Sequence, residues 1–186
     1  VEVASRAEWR AWLAQNCTQP EGIWLVTFKK QIPEKYLPYD DIVEEALCFG
    51  WVDSLPRKLD DERTMLYISP RRKGSPWSRL NKTRVAHLID AGLMTEAGMA
   101  LIEQAKADGT WTVYDEVEDL IIPPDLAAAL AANPMAAQNF TVFSDSSKKG
   151  ILWWIKSAKR APTRQKRIDE TVRLAADNIK ANHPRK

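Results

Sequence analysis

Few residues of this 186-residue chain have types and spacing that could do chemistry, and the first of them stands in the run CFGWVDS, Cys48 to Ser54. There an acid, Asp53, follows a Gly-Trp pair inside an otherwise apolar stretch. If Trp51 points inward along a strand, Asp53 does too, by the two-residue period of strands. An inward carboxylate needs a partner, because an unpaired buried charge is costly or takes up a proton. Arg57, on the same face by that alternation, and the arginines after the next strand are its candidate partners. Two readings stay open: a structural ion pair, or a functional carboxylate in a pocket lined by Trp51 and Trp77.

A second cluster follows at residues 70 to 78, where Arg71, Arg72 and Lys73 precede Gly74, Ser75, Trp77 and Ser78 at a helix start. Free amides and the positive end of the helix dipole suit a phosphate, carboxylate or sulfate there, and Asn81, Lys82 and Arg84 follow on the first turns. The expected ligand set is therefore Trp51, Asp53, Arg71, Arg72, Ser75, Trp77, Ser78 and Asn81. The spacing matches neither a GxxxxGK[ST] loop nor a GxGxxG fingerprint. A third cluster sets Trp153 and Trp154 beside Lys156, Lys159, Arg160, Arg164 and Arg167, an interleaving of rings and bases that suits nucleic acid. Trp154 falls on the apolar stripe of its helix, so only Trp153 is expected at the surface.

No catalytic constellation can be assembled. His87 lies within a helix, His183 lies near the C-terminus, and no second carboxylate has a spacing that singles it out as a partner for Asp53. Cys17 and Cys48 form no CxxC pair and have no histidine at ligand spacing, so neither a metal nor a cofactor is expected. Cys48 reads as a small core residue. Unpaired cysteines suit a reducing compartment, the N-terminal residues show no export signal, and the expected location is cytoplasmic. No window has the length and apolarity of a spanning helix.

Net charge is only +2, but it is unevenly distributed. Residues 144–186 hold twelve Lys and Arg against four acids, residues 86–143 hold one lysine against nine acids, and residues 55–85 hold nine bases against three acids. Such blocks either pair with one another or form solvated faces.

The elements that must position these groups follow from pattern. Ser5-Arg6-Ala7-Glu8 is a capping box opening a helix with Trp9, Trp12 and Leu13 on one face. Residues 23–28 read as a strand. Asp40 or Asp41 caps a helix with Ile42, Val43, Ala46, Leu47 and Phe49 inward and Glu44 and Glu45 outside, and Gly50 closes it in the left-handed conformation. Residues 51–59 and 64–69 form a hairpin around Asp60 to Arg63. Further helices start at Ser78, with Leu80, Val85, Leu88 and Ile89 inward, and at Thr95. An irregular acidic connector spans residues 110–123. Four more helical segments follow, the last opening at Pro162 with Ile168, Val172, Ala175 and Ile179 buried. The expected class is α+β: a small antiparallel sheet within residues 23–69 covered by helices, forming a domain over residues 1–110, and an all-helical subdomain over residues 124–186.

The segments GIWLVTFKK, EEALCFGWVDS, PRRKGSPWSRLNKTRV, GLMTEAG and SSKKGILWWIKSAKRAPTRQKRIDETV together resemble the bacterial YdeI/OmpD-associated, or bacteriocin-protection, family. The resemblance implies a binding or stress-protection protein acting against antimicrobial peptides, with no reaction attached. The expected occupant of the site is a small anion or a peptide, a cationic peptide being matched by the acidic residues 108–119. The alternative is a nucleic-acid-binding module built on Lys156, Lys159, Arg160, Arg164 and Arg167, and a lesser one is a carboxylate-dependent enzyme. Oligomeric state is left open.

Overall fold

The computed structural model describes residues 1–182; His183 lies outside them. It is an α+β structure that divides into two compact units, Val1–Val113 and a second beginning at Tyr114. In the first unit, α1 (Arg6–Asn16), β1 (Ile23–Phe28), α2 (Tyr39–Cys48), β2 (Trp51–Lys58), β3 (Arg63–Pro70), α3 (Arg79–Asp90) and α4 (Glu96–Ala107) follow in order. The second unit holds α5 (Asp115–Glu118), α6 (Pro124–Ala131), α7 (Pro134–Val142), α8 (Asp145–Lys156) and α9 (Ala161–Ala176). No helix among the described residues is long and apolar enough to cross a membrane.

Local chemistry explains most boundaries. The Ser5 hydroxyl accepts the Glu8 amide and the Glu8 carboxylate accepts the Ala4 amide, so the capping box forms and α1 begins where expected. Ser78, Thr95, Asn133 and Ser144 cap α3, α4, α7 and α8, each side chain accepting the amide three residues on. The cap of α2 differs from expectation: the helix starts at Tyr39 behind Pro38, and Asp40 and Asp41 sit in its first turn, where they favour the dipole. Gly50 adopts φ +77°, and its carbonyl accepts the Arg71 amide at 2.9 Å, tying the end of α2 to the exit of β3.

The sheet has strand order β1-β3-β2 and is antiparallel throughout. Leu25 pairs with Leu66 and Ile23 with Ile68, while Trp51 and Asp53 enter opposite Pro70 and Ile68. A one-residue bulge then separates Asp53 from Pro56. Bulge and proline together blunt the outer edge of β2 against pairing with another chain.

Under the sheet, Trp9 stacks on Trp12 at 5.5 Å between centroids, and Trp12 meets Trp51 edge-on at 5.8 Å. The Trp9 indole donates to the Ile42 carbonyl and the Trp51 indole to the Cys17 carbonyl. Glu45, expected outside, is buried at 2% exposure because Arg6 and Arg10 of α1 reach across to it. Leu80 and Ile89, expected inward, are exposed: they lie in the first and last turns of α3, whose buried residues are Val85 and Leu88. Where α4 approaches α2, the Thr95 amide and hydroxyl both bond the Cys48 carbonyl, at 3.2 and 2.6 Å. A Cβ on Gly98 would overlap that carbonyl oxygen and stand 2.9 Å from its carbon. Gly98→Ala is therefore expected to lower stability by about 1–3 kcal/mol in a thermal melt. Gly150→Ala, in α8 with open space around its would-be Cβ, is expected to raise stability by about 0.5–1 kcal/mol.

The second unit packs around Leu126, Phe140, Ile151, Ile155 and Ile168. The connector expected to be irregular over residues 110–123 is turn or irregular apart from the short α5 at its acidic centre, and Ile179 is exposed because α9 ends at Ala176.

Candidate functional site

The face of the sheet that carries Leu25, Leu66 and Ile68 is only partly covered. Toward the far end of the strands small polar residues, Thr27 and Thr64, replace the apolar ones on that face, and a groove of about 750 Å³ opens between the sheet, the start of α2 and residues 36–37. Its floor is largely apolar, with Leu37, Ile42, Pro56, Met65 and Leu66 lining it beside Thr27 and Thr64, and its charged groups stand at the two ends.

Asp53 lies at one end. Its carboxylate accepts the Tyr39 hydroxyl at 2.6 Å. Tyr39 is pushed up to about 12, first by partial burial and then by the hydrogen bond and charge of Asp53. It therefore remains a donor to Asp53 throughout the physiological range, and what the pair offers to the groove is acceptor oxygens beside a negative charge. Arg84 anchors the neighbouring Asp40 in an ion pair.

The expected partner Arg57 is elsewhere. The bulge after Asp53 inverts the side-chain alternation, so Arg57 emerges on the opposite face and lies over the Trp24 ring at 4.8 Å. Trp51 does share the face of Asp53, as the two-residue period requires, but it is fully buried against Trp12 and does not line the groove.

At the other end stand Lys29 and Lys30. The Lys29 ammonium donates to the carbonyls of Asp60 and Asp61 at 2.7 and 3.0 Å, and the Lys30 ammonium lies 5.9 Å from the Tyr36 ring centroid.

The Arg71 to Ser78 loop forms a separate place. Arg71 is 9% exposed, stacks on Trp77 at 3.7 Å and donates to the Pro76 carbonyl, and burial pushes its guanidinium down to about 10. Its Nε is buried without a partner. Trp77 packs on Trp111 at 5.0 Å. Ser78 acts as the cap of α3, accepting the Asn81 amide, and Asn81 in turn accepts from Arg84. Arg72 is exposed, and Ser75 bonds through its amide to the Arg72 carbonyl. The hollow beside this loop measures about 10 Å³, room on the scale of one water. The eight residues expected to form one site thus divide between a groove end (Asp53), the core (Trp51 and Trp77) and the loop with its helix cap.

In the second unit, Lys156 is ion-paired with Glu116, and Arg164 grips Asp125 through two bonds of 2.7 and 2.9 Å, which hold that carboxyl below its usual range. Arg167 lies over the Trp154 ring and donates to the Trp154 carbonyl and to Ser157. Lys159 and Arg160 are exposed between α8 and α9. Trp153, expected at the surface, is half-buried against Tyr114. A 230 Å³ hollow lined by Val117, Ile121, Leu152 and the paired Lys156 and Arg164 completes this unit. Among the described residues no group of three or more His, Cys, Asp or Glu is placed to hold a metal ion.

Tyr39, Tyr36, Lys30 and Thr64 were not singled out from sequence. A signal did exist: Thr64 occupies the same pleat as Leu66, and a partly exposed hydroxyl on a core face marks where its cover ends.

Residues 1–101 match the model of a family described as Domain of unknown function (DUF8412). Residues 119–178 match that described as Bacteriocin-protection, YdeI or OmpD-Associated. No curated protein and no solved structure matches the chain.

Proposed function

The chain belongs to the family described as Domain of unknown function (DUF8412), and from that premise we propose that it is a ligand-binding protein whose site is the groove of the N-terminal unit. The observation that carries this reading is the groove itself. Its volume of about 750 Å³ lies within the range of small-molecule sites, and its apolar floor with few polar groups has their usual composition. The Arg71 loop offers no comparable volume. Protection against an antibacterial peptide is the setting we assign to that binding, on the description of the family matched by residues 119–178.

A thermal-shift screen of small molecules on the wild type and on Thr64→Trp, which fills the groove from its floor, tests the assignment. Compounds that stabilise the wild type are expected to lose their effect on the variant. Stabilisers acting equally on both would put the site elsewhere. In cells, wild type but not Thr64→Trp is expected to restore peptide tolerance to a strain lacking the gene.

A further inference from the structure

We infer that the groove recognises an elongated zwitterion with an apolar middle, the chemistry of a short apolar peptide with free termini, its ammonium at Asp53 and Tyr39 and its carboxylate at Lys30. The inference rests on the groove being the binding site and adds the nature and direction of the occupant.

The charged groups of the groove are segregated by sign along the direction of β3. Asp53 lies opposite Ile68, whereas Phe28, the residue before Lys29 and Lys30, lies opposite Arg63. At about 3.4 Å per residue, that stretch of β3 spans roughly 17 Å. The Asp53 end presents acceptors, because the Tyr39 proton is already committed to Asp53; an ammonium or another donor completes it, and a carboxylate is repelled. At the opposite end Lys29 is turned to the carbonyls of Asp60 and Asp61, which leaves the exposed Lys30 ammonium as the group that meets an acid. Between the ends Pro56, Leu66, Ile42 and Leu37 offer apolar contact. A small anion satisfies only one end and a simple amine only the other. An extended pentapeptide of about 17 Å satisfies both.

The test uses a pentapeptide of alternating alanine and leucine in three forms: free termini, acetylated N-terminus and amidated C-terminus. Binding is followed through backbone amide shifts of the full chain. The free form is expected to shift groove amides, with each blocked form bound about tenfold more weakly, the loss of one charge-assisted contact. In Asp53→Asn the penalty for acetylation should vanish while the penalty for amidation remains, and in Lys30→Met the reverse. Equal affinity of all three forms, or penalties unchanged in these variants, overturns the inference and leaves the groove as a site of other specificity. So does a peptide series that leaves the groove amides unmoved while compounds from the thermal-shift screen still move them. If those compounds also miss the groove, the binding-site reading fails with it.

Discussion

Trp51→Ala is expected to remove about 3–5 kcal/mol of stability, the largest loss of any single replacement considered, measured by urea unfolding followed in the near-ultraviolet. The indole has no exposed surface, meets Trp12 edge-on and bonds the Cys17 carbonyl at 3.1 Å. It thereby joins the first residue of β2 to the segment that follows α1. Truncation leaves a cavity between α1 and the sheet and strands the Cys17 carbonyl. Trp51→Phe keeps most of the volume and loses the N–H donor, so it should cost less than half as much. A loss below about 1 kcal/mol for the alanine variant would mean that the site collapses freely and that Trp51 is not the anchor of the hairpin.

Glu45→Ala is expected to cost about 2–3 kcal/mol. Its carboxylate is buried and receives Arg6 and Arg10 at 2.6 Å each, one from each side. Arg6 keeps Asp41 at 2.7 Å and Glu44 at 3.1 Å after the change. Arg10 keeps neutral neighbours: the Leu93 carbonyl, the Cys48 thiol and the Phe49 ring. Removing one member of a fully buried pair typically costs about 3–5 kcal/mol; the two arginines retain about a third of their exposure, which puts the expectation below that range. Glu45→Gln retains an acceptor and should lose about half as much. Because the carboxylate is shielded, 0.5 M salt should change the difference little. At this chain length the melting temperature is expected to fall by roughly 2–4 °C per kcal/mol. A neutral outcome would show that the remaining Arg6 pairs and the tryptophans of α1 hold it to α2 without Glu45.

Both residues show where sequence reading stops. Trp51 was legible as the inward anchor of a strand because alternation and the preceding Gly50 are local facts. Glu45 was not: its helix pattern puts it beside the apolar stripe, and what buries it are two arginines 39 and 35 residues away. The candidate site divides in the same way. Asp53 was recognisable as an acid needing a partner on the core face. Its actual partner, Tyr39, comes from the first turn of α2, and the bulge that turns Arg57 to the other face leaves no mark in the composition of the strand. The basic residues of α8 and α9 looked like a nucleic-acid surface when read along the chain. In the structure, Lys156 and Arg164 meet Glu116 and Asp125 of the neighbouring acidic block.

By itself the sequence determined the α+β class, the hairpin, the helix starts at Ser5, Ser78 and Thr95, and the turn at Gly50, because caps, turns and periodicity act within a few residues. Only the tertiary structure decided that Asp53 and the Arg71 loop belong to different places, and that the uncovered end of the sheet carries acceptors at one end and ammonium groups at the other. Those outcomes depend on strand register, a one-residue bulge and how far α2 reaches across the sheet, each set by contacts between residues distant in the chain.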